Sequence, residues 1–197
     1  IQALETVDLA ALLPTTFNGL LNAQVAVLTT NQASALTRSQ SYNFTTANVV
    51  SLNTAALVAL NTTNLAAITS ANINAMLTAQ VSVLQSNQLI ALLPSQYSAL
   101  GTAQIANLTT EQIAVMTVGQ AKSLTTLNIT GLRTAQIVAL ISTEIAAINT
   151  ASIWAMSTAQ LAALETSQIT ALTLAQSANL NATKVYGFTT DQVAAFQ

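Results

Sequence analysis

A leucine, or an apolar residue standing in for it, falls on every eighth position of this chain from Leu4 to Phe196 with no slip of register. With the octad lettered abcdefgh and Leu4 at a, the position recurs as Leu12, Leu20, Leu28, Leu36 and Phe44, and onward through Met76, Met116, Met156 and Phe188. Position f is apolar in most copies, as at Val25, Leu57, Ile73, Ile105 and Ile153, and position h is small, as at Ala11, Gly19, Ala35, Ala67 and Gly131. Charge never falls on a, f or h, so these three positions form the expected buried set. The consensus reads Leu-Thr-Thr-Ala-Gln-Ile-Ala-Ala, and self-similarity of this kind along a whole chain signals a solenoid, whose units bury their faces only against neighbours.

Three local structures could carry an octad. In one continuous α-helix eight residues advance about 800°, so the leucine stripe would drift about 80° per octad and wind off any single face. A β-solenoid needs buried residues alternating with a period of two. Positions a, f and h mix parities, and Ala, Leu and Gln are poor strand formers, which leaves the β-solenoid as the alternative fold.

The third structure is a short helix restarted in each octad. Positions b to e often read Thr-x-x-Gln, as at Thr29 to Gln32, Thr37 to Gln40 and Thr109 to Gln112. This is the capping-box pattern, in which the first and fourth residues satisfy backbone donors at a helix start. Residues f and a then sit three apart on one helical face. The two prolines, Pro14 and Pro94, both occupy c, the first helical residue if b is the cap, where a missing N–H costs little. Leu13, Leu93 and Ile141 occupy b and cannot cap, so the cap is expected to move to c in some copies. The predicted fold is all-α: a superhelical solenoid of helices about 9 Å long, one per octad, too short to persist without the stack.

A longer period overlies the octad. "LLPTTFNGL" from Leu12 returns as "LLPSQYSAL" from Leu92, and "AITSANINAM" from Ala67 as "AINTASIWAM" from Ala147, in each case 80 residues later. The organisation expected is a single continuous array over residues 1–197, built from ten-octad blocks with no linker. Because the chain begins at Ile1 and both ends remain apolar and in register, it reads as a segment of a longer array that continues or stacks end to end.

Charge changes the picture of the surface. The chain holds four Lys/Arg and six Asp/Glu in 197 residues, against roughly a quarter of residues in ordinary proteins. Thr, Ser, Asn, Gln and Ala must therefore clothe it. Four scattered cations give no footprint for phosphate backbones, which argues against a nucleic-acid partner. Polar residues interrupt every apolar run, so no transmembrane segment is expected.

The same poverty limits chemistry. With no His and no Cys, Ser123 beside Lys122 and Thr6 beside Glu5 are accidents of composition rather than activated nucleophiles. Glu5 and Asp8 are the only close acidic pair, and Asp8 stands where most octads have Gln, so a variant cap explains it better than a metal site. No enzyme, metal or cofactor is expected. Tyr42, Trp154 and Tyr186 lie at g, outside the expected buried set, and are the candidate self-association or surface-contact residues, with partial burial against the next turn as the plainer account. The Thr/Ser rows at b and c could serve capping alone. They could also form a hydroxyl-and-methyl lattice for ice or a crystalline glycan, which Leu21, Arg38, Arg133 and Leu174 interrupt, or pair copies of the chain laterally without desolvating charge.

"LTTNQ", "LTAQV", "LTTEQIAVM" and "RTAQIVAL" resemble the octad arrays of long repetitive bacterial cell-surface or secreted proteins, some of them adhesin-like. The resemblance implies an extracellular or cell-surface setting and carries over no functional residues. The function expected is structural: an extracellular filament, stalk or surface layer whose partner is itself, with a binding module for ice, glycan or peptide as the alternative.

Overall fold

Each octad folds as one helix because its b residue steps out of the helix and its e residue pins that step in place. Thr29 is extended (φ −77°, ψ 162°) and its hydroxyl accepts from the backbone N–H of Gln32, while the Gln32 carboxamide oxygen accepts from the N–H of Thr29. The helix then runs four to six residues, until the next a residue turns extended again, as Leu36 does (φ −57°, ψ 143°). Two extended residues, a and b, thus make every corner. Among the described residues none takes a positive φ, so the helices end without the left-handed glycine that commonly stops a longer one.

The computed structural model describes residues 1–196, and it is all-helical, with 24 helices and no strand among the described residues. The chain divides into two units, one from Ile1 to Ala99 and one from Leu100 on. In the first the helices are α1 (Thr6–Ala11), α2 (Pro14–Asn18), α3 (Asn22–Ala26), α4 (Thr30–Ala35), α5 (Arg38–Tyr42), α6 (Thr46–Ser51), α7 (Thr54–Ala59), α8 (Thr62–Ala67), α9 (Ser70–Ala75), α10 (Thr78–Ser82), α11 (Ser86–Ala91) and α12 (Pro94–Ala99). In the second they are α13 (Thr102–Ala106), α14 (Thr110–Ala114), α15 (Val118–Ser123), α16 (Thr126–Gly131), α17 (Thr134–Ala139), α18 (Ser142–Ala147), α19 (Thr150–Ala155), α20 (Thr158–Ala162), α21 (Thr166–Thr170), α22 (Leu174–Ala178), α23 (Ala182–Val185) and α24 (Thr190–Ala195).

Within each unit every helix packs on the third one after it. In the first unit α1 meets α4, α4 meets α7 and α7 meets α10, with α2 and α3 starting parallel columns; the second unit repeats this from α13, α14 and α15. Three helices therefore make one turn of a coil. Each unit is a solenoid of short helices, as the octad predicts, and the β alternative is set aside.

Leucines at a and apolar residues at f fill the interior of each coil. Leu57, Leu65, Ile73 and Leu89 at f are fully buried, as are Ile105, Ile129 and Ile145, and Leu52, Leu60, Leu124 and Leu140 at a are nearly so. Burial of each such side chain contributes roughly 1.5–3 kcal/mol, which the isolated helices, far below the length that persists in water, could not supply themselves. Aromatic residues enter the core where a smaller one makes room: Phe17 stacks on Phe44 at 5.4 Å between centroids, and the f residue of the helix above Phe17 is Ser41.

Two local expectations are corrected. The cap does not move to c where b is apolar. Leu13, Leu21, Leu77 and Ile141 remain the N-cap residues. The backbone N–H at e turns instead to the b carbonyl, as Gln24 does to Leu21 and Gln80 to Leu77, while the e side chain still accepts from the b N–H. Half a capping box is enough. The buried set is also different from a, f and h. Most h residues are only half-buried, and Ala11 and Gly19 are exposed. Gly131 is a buried exception, because a Cβ there would lie 2.9 Å from the Thr102 carbonyl on the helix below. The position missing from the expected set is e, the glutamine.

Candidate functional site

Glutamine at e is buried in helix after helix, including Gln40, Gln80, Gln88, Gln96, Gln136 and Gln168. Burial of an unpaired carboxamide is costly, and the structure shows how each one is paired. In α5, Gln40 Oε1 accepts from the Thr37 N–H at 2.8 Å, and its Nε2 donates to the carbonyls of Leu9 and Leu12 at 2.8 and 2.9 Å. Those carbonyls lie 31 and 28 residues earlier, at the C-terminal end of α1, in the corner directly beneath the one that opens α5. Gln80, Gln88, Gln136, Gln160, Gln168 and Gln176 repeat both contacts at the same spacing.

One side chain therefore serves two helix ends. Its oxygen satisfies an orphan N–H at the start of its own helix, and its nitrogen satisfies orphan C=O groups at the end of a helix one turn below. Stacked turn upon turn, these carboxamides form a ladder up the coil. Short helices expose a large share of unsatisfied backbone groups for their length, and the ladder is what makes the octad self-sufficient in hydrogen bonds.

Departures from glutamine are repaired by chemistry that still donates. Asn64, Asn72 and Asn128 at e are one methylene shorter and reach the a carbonyls of Leu36, Phe44 and Leu100. Where e is Ala56, Asn53 at b donates to the carbonyls of Ala26 and Leu28. Where e is Ser152, its hydroxyl and the Asn149 amide both donate to Leu124. Lys184 donates to the carbonyl of Met156 and lies 5.6 Å over the ring of Trp154.

The candidate surface residues are exposed in each unit. Tyr42, at the end of α5 in the first unit, is 61% exposed and borders an open hollow with Arg38 and Ser39. In the second unit Trp154 on α19 is 42% exposed beside Thr150, Ala151 and Asn179, and Tyr186, the C-cap of α23, is 88% exposed. Trp154 and Tyr186 stand on different columns of that coil. Among the described residues no group of three or more His, Cys, Asp or Glu could hold a metal ion, and no helix is long and apolar enough to cross a membrane.

The threonine rows are sorted by the three-helix turn. Thr6, Thr30, Thr54 and Thr78 begin α1, α4, α7 and α10, one above another, and in the second unit Thr102, Thr126 and Thr150 begin α13, α16 and α19. Leu21 and Arg38 interrupt other columns of the first unit, and Arg133 another column of the second. Leu174, which begins α22, is the one interruption that falls on the Thr102 column. Along the sequence the b and c positions run together as rows, so interruptions that belong to different columns, Leu21 and Arg133 at b and Arg38 and Leu174 at c, are counted together.

No curated protein matches the chain. A family model described as the ALTTAQ repeat matches residues 1–38, 94–126 and 142–174, more than half of the chain. The six letters are octad positions h, a, b, c, d and e, nearly as they stand at Ala155 to Gln160, "AMSTAQ". Read on this structure they are the end of a helix, the buried corner residue, the cap, two outward residues of the first turn and the rung of the ladder. By its matched repeats and by what each letter of the repeat does, the chain belongs to the ALTTAQ-repeat family.

Proposed function

We propose that this protein is a structural element, the coil of an extracellular or cell-surface filament, stalk or surface layer that associates with copies of itself, and that it carries no catalytic activity. The observation that carries this reading is the ladder: each turn offers the turn above it the same carbonyls, and the turn below it the same amide donors. A unit built this way can be lengthened without redesign, and its interfaces are alike by construction. The sparse charge supports the same reading. Packing faces that carry almost no charge can approach without desolvating ions, and their association is insensitive to salt. Few Lys and Arg leave few sites for trypsin-like proteases. The exposed aromatics Tyr42, Trp154 and Tyr186 are the contacts proposed between copies.

Negative-stain electron microscopy over a range of protein concentrations near neutral pH tests the proposal. Filaments or sheets with a regular texture are expected. Discrete particles of constant size at every concentration would overturn self-assembly for this stretch.

One observation favours a second reading, a binder of an ordered surface such as ice or a crystalline glycan. The column from Thr6 to Thr78 is unbroken within its unit, and the residues that follow its threonines at d include Ala55 and Ala79. Substitution of Thr30 and Thr54 by Lys would abolish retention on such a surface if this column makes the contact, and would leave self-association unchanged.

A further inference from the structure

Glu144 occupies a rung of the ladder and is 1% exposed. It is the ladder residue of α18, and its Oε2 accepts from the Ile141 N–H at 2.9 Å, as the glutamine oxygens do in other helices. A glutamine rung also donates. Gln136 and Gln160, in helices on either side along the chain, give their Nε2 hydrogens to the carbonyls 31 and 28 residues earlier. Counted by the same 31- and 28-residue spacing, the carbonyls that a rung at 144 would serve are those of Ile113 and Met116, at the end of α14. A carboxylate there has no hydrogen to give and meets acceptors with an acceptor. A carboxylic acid has one O–H and reproduces both halves of the glutamine pattern.

We infer that Glu144 is a proton-operated rung: protonated, it donates to the carbonyl of Met116 and closes the ladder between α14 and α18; ionised, it opens the ladder there. The proton is exchanged with solvent, and no other bond changes.

The surroundings offer no cation to hold the charged form. On the elements packed around α18 the ionisable groups are Glu111 on α14, Lys122 on α15, Arg133 at the start of α17 and Glu165 at the start of α21, and all are exposed. Arg133 is directed to the carbonyl of Leu108. Burial pushes the Glu144 carboxyl above the ordinary glutamate value of 4.5, with the Ile141 N–H opposing it more weakly. Because the folded value is the higher one, the stabilising contribution is complete below about pH 4.5 and is lost as pH rises through the folded value. The coil is therefore firmer in acid at this rung than at neutral pH.

The test is urea unfolding, followed by far-ultraviolet circular dichroism, of the wild-type chain and of Glu144→Gln between about pH 4 and pH 8. The variant carries the residue most other helices have at this rung, so it keeps the packing. Its midpoint is expected to lie above that of the wild type at the alkaline end and to converge on it at the acid end. The reciprocal change, Gln168→Glu, is expected to import a second decline with rising pH. Parallel profiles for wild type and Glu144→Gln, whether coincident or separated by a constant gap, would overturn the inference.

Discussion

Asn53 donates its side-chain amide to the carbonyl oxygen of Leu28 at 3.0 Å, the contact that a glutamine three residues later makes in other turns. The residue at that later position is Ala56, so the donor has moved from e to b while the acceptor has stayed. What each turn keeps is a donor for the corner carbonyl below, and a residue type is kept only as far as it supplies one. Asn53→Thr retains the cap to the Ala56 N–H but strands the Leu28 carbonyl. It should cost about 1–2 kcal/mol. Ala56→Gln in that background should restore the loss, and a double-mutant cycle by urea unfolding measures the coupling. Additive effects would show that Asn53 and position 56 do not serve the same carbonyl.

The ladder itself is tested at Gln168, whose Oε1 accepts from the Glu165 N–H and whose Nε2 donates to Ile137 and Leu140. Gln168→Met keeps the volume and removes these hydrogen bonds and a longer one to Val138, while leaving the backbone groups buried. A loss of about 2–4 kcal/mol is expected, larger than that of Thr166→Ala on the outward face of the same helix, which should stay within about 0.5 kcal/mol. Equal effects at the two positions would reduce the glutamine to a cap.

How much of this was legible beforehand follows from which interactions are local. The helix per octad, the cap at b and the prolines at Pro14 and Pro94 are set within a few residues, and the sequence carries them openly. Burial of e is set by the turn beneath, 28 to 31 residues away, and an octad pattern cannot report that distance because every octad looks alike. A signal was present all the same. A polar position that stays Gln or Asn through most copies, while neighbouring outward positions vary among Thr, Ala, Ser, Leu and Val, is behaving as a buried one. The cap's persistence at Leu21 and Ile141 was missed for a related reason. Propensity at b was weighed alone, whereas the e side chain and the b carbonyl together hold the corner. Tyr42, Trp154 and Tyr186 are exposed, and nothing in the octad says which column an exposed residue joins.

Ser41 is the polar exception at f. It is fully buried, and its hydroxyl has no hydrogen-bond partner within the structure. Ser41 stands on α5, the helix that packs on the one carrying Phe17, so its small size is used and its hydroxyl is not. Ser41→Ala should therefore stabilise the protein by about 1 kcal/mol, and Ser41→Leu should destabilise it by overpacking against the rings. Thermal unfolding of the pair separates the two effects, and a destabilised alanine variant would mean that the hydroxyl has a partner after all.

Two glycines of the second coil should answer substitution with opposite signs. At Gly131 a Cβ would lie 2.9 Å from both the carbonyl oxygen and Cγ2 of Thr102, and 3.1 Å from its Cα. Rotation of the threonine side chain relieves only one of these contacts, since the others are backbone. Gly131→Ala should then separate α16 from α13 and cost about 1–3 kcal/mol. Gly101 occupies b with φ −73°, a conformation any residue adopts, and the nearest atom to its absent Cβ is the Gln104 side-chain oxygen at 3.6 Å. Gly101→Thr would add the missing half of the capping box and restrict the unfolded chain, and should stabilise by about 0.5–1 kcal/mol. Urea midpoints of the two variants should fall on opposite sides of the wild type. If Gly131→Ala were neutral, the close approach of α13 and α16 would not be the reason for glycine at that position, and the spacing between turns would have to be set by the core residues at a and f alone.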